Sequence, residues 1–145
     1  MSAPHSEPGR RRRILVVAYR TAATPRLIEA VRRRAESGGV TFTLLVPRPY
    51  WDPDTDEASA TLELAVPLLE QAAGSHVPAR IGDADPFVAV RDAVAGGDFD
   101  EVMISTLPAR VSHWLRRDLP ARVERLGLPV EVVTAEQRHR PVVPG

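Results

Sequence analysis

At 145 residues the chain has room for one domain. Apolar residues make up 43% and charged residues 26%, the balance of a globular protein rather than a disordered one. Nineteen basic residues offset nineteen acidic ones, so no excess positive charge is left to draw nucleic acid, and none is expected as a partner.

Every basic residue is an arginine, while asparagine and cysteine are absent. That usage points to a high-GC bacterial genome, and it makes the abundance of arginine weak evidence for any function. The lack of cysteine rules out disulfides, thiolate metal sites and thiol nucleophiles. No secretory pattern and no apolar span of about 18 residues is visible, so a cytoplasmic location without a membrane partner is expected.

Residues 1–10 are polar and proline-containing without periodicity and read as a disordered leader. Arg10 to Arg13 read as a solvated arm, since four charges bind weakly at physiological salt. The run Ile-Leu-Val-Val-Ala at 14–18 is the mark of a central parallel strand covered on both faces. Thr24 before Pro25 forms a cap and first-turn pair, after which Leu27, Ile28, Val31 and Ala35 share one helical face. Gly38-Gly39 ends that helix, and 41–46 forms the second strand.

Residues 47–59 make a long acidic loop holding Tyr50 and Trp51. Its Asp52, Asp54 and Asp56 alternate as in a calcium loop, but the glycine and the closing glutamate are missing, so no metal is expected. A helix over 57–73 carries Leu62, Val66 and Leu69 on one face, with Pro67 predicting a kink. A weak third strand at 77–81 leads through Gly82-Asp83-Ala84-Asp85-Pro86 into a helix with Phe87, Val90 and Val94 inward, stopped by Gly96-Gly97.

The stretch 99–133 reads as strand, loop, broken helix and strand. Val102, Met103 and Ile104 form an apolar run that should end at a polar turn, Ser105-Thr106. Val111, Leu115, Leu119 and Val123 then recur at helical spacing, but Pro120 forbids one continuous helix. Two pieces are predicted, the first capped by Ser112 and the second by Asp118 with Pro120 in its first turn. Gly127 stops the second piece, leaving 129–133 as the last strand and 136–145 as a flexible tail. Five strands alternating with helices over 11–135 give an α/β fold, a single three-layer Rossmann-like domain around a parallel sheet.

The segment 102–123 resembles the C-terminal half of the universal stress proteins, and the first strand together with Gly82-Asp83 and Pro86 resembles their first half. The resemblance implies strand order 3-2-1-4-5 and a ligand crevice between strands one and four. ATP-binding members of that family carry Gly-x2-Gly-x9-Gly-Ser/Thr, and those positions fall here on Ile104, Leu107, Arg117 and Asp118. Without the glycines, backbone amides cannot close on a phosphate, and a carboxylate at position 118 would satisfy the free amides of a helix start itself while repelling a second anion. The aspartate that often follows strand one in nucleotide-binding members is replaced by Tyr19.

The expectation is therefore a non-enzymatic stress-type protein without the standard grip on ATP and without a cofactor, acting by association or on a small anionic ligand. The alternative is an ATP or AMP binder in which arginines and hydroxyls replace the glycine loop. Candidate ligand residues are Tyr19, Arg20, Thr21, Val46, Ser105, Thr106, Arg110, Ser112, Arg117 and Asp118. Arg20 and Arg110 would supply charge and the hydroxyls neutral bonds, unless Ser105 and Thr106 only satisfy neighbouring groups. Ser112 as a nucleophile with His113 and Asp118 is not expected, because no glycine elbow presents it. The final strand, with Val130, Val132 and Val133, is a candidate homodimer edge, as the family resemblance also implies.

Overall fold

The computed structural model describes residues 11–108 and 110–135; the expected leader and tail lie outside them. Five parallel strands, β1 (Arg12–Val17), β2 (Val40–Pro47), β3 (Ala79–Gly82), β4 (Glu101–Thr106) and β5 (Val130–Thr134), form one sheet in the order β3-β2-β1-β4-β5. The predicted topology is the observed one. Helices α1 (Pro25–Glu36) and α2 (Asp56–Ala73) cover one face, while α3 (Pro86–Val94) and α5 (Leu119–Glu124) cover the other. The single turn α4 (His113–Arg116) sits between β4 and α5 in the chain.

The central strands are apolar without alternation because both of their faces are covered. Ile14, Val16, Phe42, Leu44 and Met103 point toward α1 and α2, whereas Leu15, Val17, Leu45, Val102 and Ile104 point toward α3 and α5. The closest approach lies under α3. A methyl group on Gly82 would stand 2.7 Å from the Cβ of Ala89, so glycine is required there by packing. The carbonyl of Gly82 also accepts the amide of Arg48 at 3.1 Å, which anchors the segment leaving β2.

Several local expectations are corrected. The basic run is not a free arm, because β1 begins at Arg12 and both Arg12 and Arg13 are engaged by carboxylates opening β4. Arg13 donates from its backbone amide and its guanidinium to Asp100, and Arg12 Nε donates to Glu101 at 2.8 Å. Arg34 of α1 closes the cluster, donating to both oxygens of Glu101 at 2.6 and 2.8 Å and to Glu131 at 3.0 Å. These arginines hold Glu101 and Asp100 below the usual carboxylate range, Asp100 at about 2.

Ser105 and Thr106 are not a turn. They remain in β4, paired with Val133 and Thr134 of β5, and the loop starts at Leu107. Thr24 does not cap α1 with its side chain, which instead donates to the carbonyl of Thr21. Helix α2 runs undivided through Pro67, β3 starts two residues later than predicted, and α4 and α5 are the two predicted pieces. Among the described residues no helix is long and apolar enough to cross a membrane.

Candidate functional site

Strands of a parallel sheet deliver their following loops to one edge, and the crevice opens there where the strand order reverses, between β1 and β4. Tyr19, Arg20 and Thr21 leave β1 at that point, facing Ser105, Thr106 and the loop that begins at Leu107. Two adjoining compartments result. The smaller, about 150 Å³, lies over the switch point and is lined by Thr21, Ser105, Thr106, Leu107, Val111 and Ser112. The larger, about 600 Å³, spreads toward β2, α3 and α5 over Arg48, Tyr50, Trp51, Phe87, Arg117 and Arg122. Tyr19, Arg20, His113 and Trp114 border both.

The hydroxyls of the smaller compartment are bonded to one another. Thr21 Oγ1 and Ser105 Oγ are hydrogen-bonded at 2.5 Å, and Thr106 Oγ1 is hydrogen-bonded to Ser112 Oγ at 2.6 Å. All four residues are buried. Ser112 Oγ also accepts the amide of Leu115 at 3.0 Å, the predicted cap of α4. A buried polar side chain at the end of a parallel strand is tolerated when it has a partner, and each pair supplies one with one of its two O–H donors. Ser112 is thus bound to Thr106 rather than poised beside His113, and the hydroxyl–base geometry of a nucleophile is not formed.

The loop after β2 is fastened over the crevice. Tyr19 donates its hydroxyl to Glu57 Oε1 at 2.7 Å, and Trp51 Nε1 donates to Glu57 Oε2 at 3.1 Å. Desolvation, then the bond to Glu57, pushes the Tyr19 phenol up to about 12, so it stays a donor throughout the physiological range. The base of the same loop is tied by Asp52. Its buried carboxylate accepts the amides of Asp56, Glu57 and Ala58 at 2.9, 3.0 and 3.1 Å, capping the first turn of α2.

Asp52 therefore plays the part that the sequence assigns to Asp118. Asp118 does precede α5, but its backbone is left-handed at φ 60° and its side chain makes no capping bond. A carboxylate reaches the amides of the next turn from extended backbone, and the left-handed geometry turns it away. Asp118 and Arg110 line neither compartment, and Val46 is fully buried in the core toward α1 and α2, so the structure does not bring these three to the site. Of the glycine-motif positions, Ile104 lies inside β4 in the core, Leu107 and Arg117 each border a compartment, and only Arg117 carries charge there. Trp114 both packs against the α3 and α5 face and borders the crevice.

Arg48, Phe87 and Arg122 were missed, as was Glu57. Arg48 directly follows the second strand, so the rule that loops after parallel strands share one edge could have found it. Arg122 could not be found that way, because its place over the Phe87 ring, 4.4 Å from the centroid, is a contact between two helices. Among the described residues, Arg20, Arg48, Arg117 and Arg122 form no ion pair with a carboxylate. Asp85 is the single acidic residue bordering the larger compartment, and its carboxylate accepts the amides of Phe87 and Val88 at the start of α3.

A parallel sheet of this order, with its crevice at the β1 and β4 ends, is the fold of the universal stress proteins. A solved universal stress protein from Archaeoglobus fulgidus aligns over 84% of this chain and 93% of its own, with 20% identity and a TM-score of 0.62. Its structure in complex with dAMP aligns at 19% identity over 87% of this chain and 98% of its own, with a TM-score of 0.55. A universal stress protein in complex with cAMP aligns at 16% identity over 88% of this chain and 100% of its own, with a TM-score of 0.62. At these identities the likeness establishes the fold. No family model matches the sequence, and no curated protein matches it.

Proposed function

We propose that the chain is a non-enzymatic cytoplasmic protein of the universal stress type that binds a small anionic ligand in this crevice, using arginine side chains in place of a glycine loop. The observation that carries the reading is the convergence of Arg20, Arg48, Arg117 and Arg122, without carboxylate partners among the described residues, on a crevice at the switch point. Arginine forks grip phosphate and carboxylate, and the nearby rings supply flat walls for a heterocycle. Neighbours of the same fold hold dAMP and cAMP, which makes adenylates the compounds to try first.

The hydroxyls of Thr21, Ser105, Thr106 and Ser112 are bonded in pairs, which uses one O–H of each pair and leaves the other as the contact they can offer a ligand in this reading. Isothermal titration with adenosine, AMP and ATP tests it. Binding of AMP at about 1–100 µM, weakened at least about tenfold by Arg20→Ala, is expected. Silence with all three compounds overturns it.

A homodimer through β5 completes the reading. That strand is one of the two sheet edges, with Val132 40% exposed and Val130 half-buried; Val133 is buried in the core and is withdrawn from the interface. Light scattering should give twice the monomer mass for the native chain and a monomer for Val132→Asp. An unchanged mass would remove β5 from the contact.

A further inference from the structure

The two compartments differ in chemistry, and that difference gives a ligand a direction. In the smaller one four hydroxyls bonded in pairs lie among the rings of Tyr19, His113 and Trp114 and the side chains of Leu107 and Val111, with Arg20 on the border it shares with the larger one. Such a lining suits a flat uncharged group. In the larger one Arg48, Arg117 and Arg122 project from three different elements, and the carboxylate of Asp85 is occupied by helix amides. Arg48 makes only a long 3.4 Å contact to the carbonyl of Pro49, and Arg122 stacks on Phe87, so neither guanidinium is neutralised. Charge concentrated in a chain whose formal total is zero marks that compartment out.

We propose that the larger compartment is an anion site. A ligand then lies with its phosphate among Arg48, Arg117 and Arg122 and its ring in the smaller compartment beside Trp114, its charge turned away from the loop after β4. The ligand class is a phosphorylated heteroaromatic compound, of which a nucleoside monophosphate is the simplest case. This assignment rests on the ligand-binding reading above and adds to it which end of the ligand goes where. The grip consists of side-chain charges at the surface, so affinity falls steeply with added salt.

The protein carries its own reporters. Its two tryptophans, Trp51 and Trp114, both border the larger compartment, and only Trp114 also borders the smaller. Fluorescence titrations with AMP, adenosine and pyrophosphate, in the native chain and in Trp114→Phe, therefore separate the two ends. AMP should bind about tenfold or more tighter than adenosine at low salt. Pyrophosphate, which has no ring, should change Trp51 emission in Trp114→Phe and compete with AMP. The double variant Arg48→Gln/Arg117→Gln should abolish the pyrophosphate signal and bring AMP down to the affinity of adenosine. If its thermal melt shows it unfolded, Arg117→Gln alone, at an exposed helix end, gives the same test.

AMP affinity unchanged by the Arg48 and Arg117 variants but weakened by Arg20→Ala overturns this anion site and leaves the ligand-binding reading standing, whereas adenosine binding as tightly as AMP overturns both. Pyrophosphate binding that depends on these arginines, with no response to adenosine or AMP, upholds the anion site and overturns the adenylate reading. Silence with all three overturns both.

Discussion

The two edges of the sheet use arginine in opposite ways. At the amino edge Arg12, Arg13 and Arg34 are tied to Asp100, Glu101 and Glu131, and Glu101 keeps only 8% of its side chain exposed between two guanidinium groups. At the carboxyl edge Arg20, Arg48, Arg117 and Arg122 border an open crevice with no such partner among the described residues. The number of arginines in a chain made almost uniformly rich in them says little. What separates the two edges is whether the charge is answered.

The largest effect should come from breaking the answered side. Glu101→Ala leaves Arg34 and Arg12 without their shared carboxylate and should cost about 3 kcal/mol in urea unfolding, while leaving AMP affinity within about twofold. A stability loss below about 1 kcal/mol would erase the distinction between the edges. A smaller effect should follow acidification. Arg13 holds Asp100 at about 2, below its ordinary 3.8, and Arg34 with Arg12 lowers Glu101. Carboxylates depressed in the folded state give stability that is complete above the ordinary carboxylate range and is lost as pH falls through the folded values. The urea midpoint should therefore drop between about pH 4 and pH 2, and Asp100→Asn should flatten that slope. The smallest effect should come from the carboxyl edge, where Arg48→Gln or Arg117→Gln should shift stability by less than about 0.5 kcal/mol. A loss above about 1 kcal/mol would show that these charges serve the fold after all.

The strands were legible because they are written as apolar runs, such as Ile14 to Ala18, whose covering on both faces leaves only a parallel interior position, whereas their order was implied by the family resemblance and not by the runs themselves. The cap at Ser112 was legible for a similar reason, since capping is a contact over three residues. Asp118 and Asp52 show where that legibility stops. Both are aspartates ahead of a helix, and only the backbone angle at one and the loop path at the other decide which carboxylate meets the amides. The closed hydroxyl pairs Thr21 with Ser105 and Thr106 with Ser112 depend on how β1, β4 and α4 are juxtaposed, and no local pattern encodes them. The candidate site was thus half readable. Tyr19, Arg20 and Arg117 follow from their place after a strand or in the broken helix, whereas Arg122 and Glu57 come from packing between distant segments.

The three amide bonds that Asp52 accepts fix the root of the segment between β2 and α2, while Tyr50 and Trp51 at its crest stay largely exposed and are restrained mainly by the single carboxylate of Glu57. These two aromatic side chains can therefore swing about a stationary root while the sheet beneath them stays fixed. Motions of that size run in nanoseconds to microseconds.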